Sequence, residues 1–289
     1  MSQQILLHVT NGLIIGAFYV LMALGLSLIL NLSGVINFAH GGFLALGGYV
    51  AYTIEPYVGF WGALIISPFI VALLGLIIER TMIYRLYGRD PLYSLLLTFG
   101  LAFIFEDVTR AVWGATGLPF SVPSFLTQPL SLDLFFITQY RLFMVIVVAI
   151  VVAGLFLFLR FSRLGVRIRA GTFDLDTVSS LGVNVRSLRS FNFALGIFLA
   201  GLSGVLAGGQ LSLEPTMGAN LLMPSFVAII VGGVGSLPGT LVGGLLIGVA
   251  AGITTVFWPS ASEAIIYVMM AVVLLIRPRG LFGEEGLLS

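Results

Sequence analysis

The sequence predicts an all-α integral membrane protein: a polytopic bundle of about 8–9 transmembrane or partly broken helices, with one short cytoplasmic helix between two of them. Three observations carry this. Of 289 residues, 59% are hydrophobic and only 9% charged, and the mean hydropathy is +1.13, whereas a soluble domain carries about 25% charge. Apolar runs long enough to cross a bilayer recur along the whole chain. The 36 glycines suit close packing of helices in lipid. No stretch is long and polar enough for a separate soluble domain, so residues 1–289 read as a single membrane domain. The opening MSQQILLHVT lacks the basic start of a cleavable signal peptide.

The first span is expected from Val9 to Leu30, with Asn11, Gly12, Gly16 and Gly25 as a small-residue face. Asn31, Ser33, Asn37 and His40 then interrupt the apolar pattern, and Gly41 and Gly42 follow. This is a turn, or a broken helix that holds polar groups at membrane depth. The second span ends at Glu55-Pro56, and the third runs from Phe60 to Ile78. After a loop with Arg80, Arg85 and Arg89, the fourth runs from Leu92 to Val112. Glu106 and Arg110, four residues apart near its end, are placed to pair. Pro119, Pro123 and Pro129 forbid a continuous helix from Gly114 to Gln139. The fifth and sixth spans are expected at Tyr140–Leu159 and Phe191–Leu211.

Between those two lies the only long polar, basic segment, Arg160 to Ser190, with six arginines. Short Arg-rich loops stay in the cytoplasm. Thr172 is a fair N-cap for a helix over Phe173–Leu181, Asp174 and Asp176 sit in its first turn, and Gly182 is placed to stop it. Leu175, Val178 and Leu181 recur at threes as one apolar face. Such a rod, about 13 Å long, fits a groove on a soluble partner, or is an ordinary solvated loop.

Farther on, Leu221–Val231 is about half the length of a span. It is followed by a break at Gly232, Gly233, Gly235, Pro238 and Gly239, and then by Thr240–Val256. This reads as a discontinuous span or a helical hairpin. The last span is Glu263–Ile276. Eleven of the 13 arginines fall on one side if the spans alternate, which puts the C-terminus in the cytoplasm and the N-terminus outside.

Several chemistries are excluded. Without cysteine there is no disulfide or thiolate metal site, and His8 and His40 form no ligand cluster. No nucleophile elbow is present. The Gly-rich run lacks the Lys of a nucleotide-binding loop, and no channel filter is visible. The net charge of +1 suggests no nucleic-acid partner. The alternative of another class that stays open is a proton- or sodium-coupled secondary carrier; it would need carboxylates at midmembrane, and the position of Glu106, Asp107 and Glu263 near span ends counts against it.

A solute crossing such a bundle needs polar or backbone partners in the membrane. Two places supply them: Asn37, His40 and Gly41, and Gly232, Gly233, Gly235, Ser236 and Gly239. Alternatively, Asn37 and His40 satisfy each other or cap a helix, and the glycines serve packing.

Residues 162–185, SRLGVRIRAGTFDLDTVSSLGVNV, resemble the cytoplasmic loop of the permeases of bacterial branched-chain amino-acid ABC importers. GGVGSLPGTLVGG and the closing RPRGLFG are similar to the same family. Arg163, Gly165, Arg169, Ala170, Asp174, Gly182 and Asn184 match the family loop, while Phe173 and Val178 depart from it and Gly42 stands where the family usually has Glu. The resemblance implies a permease subunit in the bacterial inner membrane, with a second similar permease, two cytoplasmic ATPases that bind ATP-Mg, and a soluble binding protein. No cofactor is expected in this chain itself. It also implies that Arg163, Arg169, Ala170, Phe173, Asp174, Leu175, Val178, Leu181, Gly182 and Asn184 couple to an ATPase. The implied substrates are branched-chain or related small amino acids, with urea, short amides or other small polar solutes as the alternative.

Overall fold

A computed structural model describes residues 2–132 and 135–283. Met1 and residues 133–134 and 284–289 lie outside it. Among the described residues the chain is almost entirely helical. The long helices are α1 (Ser2–Ser33), α2 (Ala39–Thr81), α3 (Pro91–Trp113), α5 (Gln139–Phe161), α8 (Val185–Gln210), α9 (Met217–Gly232), α10 (Leu237–Phe257) and α11 (Ala264–Ile276). The short ones are α4 (Ser124–Thr127), α6 (Arg163–Phe173) and α7 (Leu175–Ser180). Among the described residues six helices are long and apolar enough to cross a membrane, and α9 and α11 are shorter apolar helices.

The 43 residues of α2 would make a rod of about 65 Å, twice the bilayer core. They form instead two arms that reverse at Gly59, whose φ of +70° and ψ of 172° leave the helical region. Ser67 on the second arm donates to the Gly47 carbonyl on the first at 2.6 Å, which only a fold-back allows. The second expected span therefore runs past Glu55-Pro56 to this glycine, and α2 supplies two passes.

The chain divides into two compact units, one of Leu28–Ser121 and Ala149–Ala219, the other of Met1–Ser27, Val122–Val148 and Asn220–Ser289. In the first unit, the second arm of α2 runs antiparallel to α8. The contacts Glu79–Ser190, Gly75–Ile197 and Pro68–Gly201 keep one register. The first arm meets α8 where Gly47 faces Gly201 and Gly204 lies against the Leu44 carbonyl, too close for any side chain. Beyond α8 the chain turns back along α2. Tyr49 Oη donates to the Leu213 carbonyl at 3.1 Å, and Gly218 lies against the Gly41 carbonyl. The start of α9 is thus level with the start of α2, and α8 ends at Gln210, four residues before Glu214-Pro215.

In the second unit, α1 and α10 pack antiparallel through glycine. Gly244 lies against Val20, Gly248 against Gly12 and Gly16, and Gly252 against the His8 carbonyl. The loop from Gly114 to Gln139 holds a two-stranded antiparallel hairpin, β1 (Pro129–Leu132) with β2 (Phe135–Thr138). Its prolines forbade a long helix but not a short strand.

Candidate functional site

The polar segment between α5 and α8 folds as two short helices rather than one. Ser162 caps α6, its Oγ accepting from the Gly165 amide at 2.8 Å. Gly165 lies against the Phe158 carbonyl, so α6 turns sharply off α5. Thr172 is not the N-cap; it lies in the last turn of α6, where its hydroxyl donates to the Arg169 carbonyl. Asp174 is the cap of α7: its carboxylate accepts from the Asp176 and Thr177 amides at 3.0 Å and from the Thr177 hydroxyl. The hydroxyl first, then the amides, hold Asp174 below the ordinary carboxylate pKa. Gly182 stops α7 with a φ of +82°, and Asn184 caps α8 by accepting from the Ser187 amide.

The expected apolar face divides. Val178 is buried and Leu175 half-buried, so they fasten α7 to the protein. Leu181 and Phe173 point outward, 77% and 79% exposed. Arg169 is exposed but reaches back to α5, its Nε donating to the Leu159 carbonyl at 2.9 Å and so satisfying the end of that helix. Arg163 and Ala170 are exposed on α6.

The break between α1 and α2 is residues 34–38. Gly34, with a φ of +66°, ends α1. One hydroxyl, that of Thr98 on α3, satisfies the broken backbone: it donates to the Ile36 carbonyl at 3.0 Å and accepts from the Phe38 amide at 3.1 Å. Thr98 lies about 11 Å along α3 from Pro91, so the break is sunk below the helix end. Asn37 is fully buried, and neither atom of its carboxamide has a protein partner. Asn37 does not cap α2, whose N-cap is Phe38. His40 is fully buried, and the Gly41 carbonyl faces Gly218. At Gly42 the Phe105 ring fills the space a side chain would need.

The second glycine-rich place is closed by backbone. The turn between α9 and α10 uses Gly233 (φ +108°) and Gly235 (φ +95°), and Ser236 caps α10 by accepting from the Gly239 amide. Gly232 and Gly239 touch backbone to backbone. The chain's tail lies on them: the Leu281 amide donates to the Val231 carbonyl and the Phe282 amide to the Gly232 carbonyl, both at 2.9 Å. Gly280 and Gly283 abut Gly233. Gly235 and Ser236 stay partly open.

Against this geometry, comparison with known proteins is decisive. Residues 8–274 match the family described as "Branched-chain amino acid transport system / permease component". The chain belongs to that family.

The permease is 30% identical to the high-affinity branched-chain amino acid transport system permease protein BraD of Pseudomonas aeruginosa, over 96% of this chain and 95% of the relative. It is 29% identical to LivH of Salmonella typhimurium over 98% of both chains. To the ribose import permease RbsC of Escherichia coli it is 26% identical, over 79% of this chain and 71% of that one. The permease is a transport subunit, not an enzyme, and a multi-pass inner-membrane protein of a family that works with ATPase and binding-protein partners.

One cluster of the permease escaped sequence reasoning. Glu79 reads as the polar end of a span, yet it is fully buried. Its Oε1 accepts from Tyr87 Oη at 2.9 Å and its Oε2 from Ser190 Oγ at 2.6 Å. Burial first, then the Glu79 carboxylate, push the Tyr87 phenol far above its ordinary pKa, so it stays a neutral donor. Arg189 stacks over Tyr87 at 4.6 Å and Arg186 over Tyr84 at 4.1 Å. No spacing rule links residues 111 positions apart. The charged pair that spacing did predict is present on α3, with Arg110 Nη2 and Glu106 Oε1 2.7 Å apart.

Proposed function

We propose that this permease carries branched-chain or related small amino acids inward, as one of a permease pair fed by a soluble binding protein and driven by two cytoplasmic ATPases that hold ATP-Mg. The observation that supports the substrate class is similarity to permeases named for these amino acids over 95% or more of both chains. In this reading the Arg-rich loops and the C-terminus face the cytoplasm, and the N-terminus and the loop from Gly114 to Gln139 face outside.

Solute contacts are proposed at Asn37, His40 and Gly41, and at Gly235 and Ser236, which stay partly open beside the joint that Gly232, Gly233 and Gly239 close. Asn37 supports the first place best. A buried carboxamide without a partner costs roughly 1–3 kcal/mol per unpaired group, and it offers a donor to a carboxylate and an acceptor to an ammonium. In the coupling segment, Phe173 and Leu181 are the knobs that enter the ATPase. Asp174, Leu175, Val178 and Gly182 shape the tip, and Arg163, Arg169, Ala170 and Asn184 frame it.

The test is uptake into proteoliposomes holding the permease with its partners. Leucine accumulates and urea and ribose do not; uptake of urea or ribose without leucine overturns the substrate class. Phe173→Asp with Leu181→Asp lowers ATPase association at least about tenfold, because both side chains would be desolvated on docking, while the permease's own Tm holds. Full substrate-stimulated ATP hydrolysis in that variant shows the tip to be merely solvated.

A further inference from the structure

At the end of the α2–α8 seam nearest the coupling segment, Arg80, Asn184, Arg186, Ser187 and Ser190 line a cavity of about 240 Å³. Its lining residues carry two guanidinium groups and no carboxylate. The nearest acid, Glu79, is buried and turned to Tyr87 and Ser190. Arg186 stacks its flat face on Tyr84 at 4.1 Å, which leaves the N–H edge of the guanidinium for a ligand. This is the chemistry of a phosphate-sized anion.

The surroundings say which kind of anion. Along the second arm of α2, residues three and seven before Arg80 lie on its face. These are Ile77 and Leu73, each more than half exposed. On α8, Phe191 and Phe198 stand four and eleven residues beyond Ser187 and so share its face. The two stripes meet where Phe69 packs on Phe198, ring centroids 4.9 Å apart. A basic cavity therefore lies at one end of two apolar stripes, one on each helix, that meet at Phe69 and Phe198. A free phosphate would use only the cavity, and an acidic protein side chain would use no seam.

We propose that this cavity and seam bind an anionic phospholipid, the headgroup phosphate between Arg80 and Arg186 and an acyl chain along Leu73, Ile77, Phe191 and Phe198. Basic pockets between membrane helices at the cytoplasmic surface are suited to such headgroups. The seat joins the end of α2 to the start of α8, just beyond the coupling segment, so the lipid would brace the joint through which that segment is attached.

The full-length chain in a neutral detergent tests this. Phosphatidylglycerol, phosphatidylcholine and inorganic phosphate are added separately, and Tm and retained lipid (by native mass spectrometry) are read. Phosphatidylglycerol raises Tm and is retained, whereas phosphatidylcholine and inorganic phosphate do neither. Arg80→Gln with Arg186→Gln weakens the phosphatidylglycerol response roughly tenfold or more. Arg163→Gln, a basic residue of the same segment outside the cavity, leaves it unchanged. Should the double variant fold poorly, Ser187→Leu, at an exposed position, fills the cavity and gives the same loss. An equal response to inorganic phosphate overturns the lipid assignment in favour of a free anion. An unchanged lipid response in the variants, or a loss confined to ATPase association, overturns the site.

Discussion

The permease has two places where glycine and polar residues break an apolar run, and they are built in opposite ways. At residues 34–38 the backbone is satisfied by one hydroxyl, Thr98, and a buried carboxamide, Asn37, is left unpaired. At residues 232–239 the backbone is packed against backbone, and the tail's amides close the carbonyls of Val231 and Gly232. Both look alike in sequence. The difference teaches that a polar, glycine-rich break marks a chain discontinuity only. Whether it is a joint or a contact for solute depends on which partners its polar atoms find.

The largest effect expected from this contrast is at Gly233. A Cβ there would lie 2.4 Å from the Gly283 amide nitrogen and would have to adopt a φ of +108°. Gly233→Val destabilises the fold by more than about 3 kcal/mol, seen as loss of monodisperse protein on size-exclusion chromatography. A well-folded variant would mean that the tail does not hold this turn. Gly280→Ala acts on the other half of the joint. Its Cβ meets Gly233 and the Ile230 carbonyl at 2.6 Å, and a drop in Tm of several degrees is expected from about 2 kcal/mol of strain.

At the other break, Thr98→Val removes the shared hydroxyl and leaves the Ile36 carbonyl and the Phe38 amide unpaired. That costs roughly 1–3 kcal/mol, so Tm falls by less than in Gly233→Val, and transport falls with it because Asn37 loses its support. An unchanged Tm would show that the break is not held by α3. Smallest of all is the effect of acid on the cap of α7. Asp174 has a folded pKa below its ordinary value, so its contribution is complete above the ordinary carboxylate pKa and is lost as pH falls through the lowered one. Hydrogen exchange at the Asp176 and Thr177 amides quickens over that acidic window, and Asp174→Ala removes the dependence.

The spans were legible because lipid demands long apolar runs: α3 and α11 begin and end within about two residues of where the apolar pattern puts them. Gly182 was legible because helix stops need positive φ. Thr172 misled because threonine and aspartate are both good caps, and only the turn at Phe173 decides between them. The arginines hid α6, since their spacing shows no apolar stripe. The tail on the glycine turn joins residues 50 positions apart, and Thr98 meets Ile36 across 62. Periodicity reports a residue's face, never its distant partner. Asn37 was legible as a candidate from its polarity, but its lack of a partner required the packed structure.

The most direct test of the contrast is Asn37→Leu, read for both stability and leucine uptake. If the carboxamide is kept for solute, replacing it with a hydrocarbon of similar size removes an unpaired buried polar group, and Tm stays level or rises. Uptake then falls at least about tenfold while basal ATP hydrolysis by the assembled transporter persists. Wild-type uptake, or a Tm that falls together with uptake, would contradict the account and make the break at Asn37 a joint like the one at Gly233.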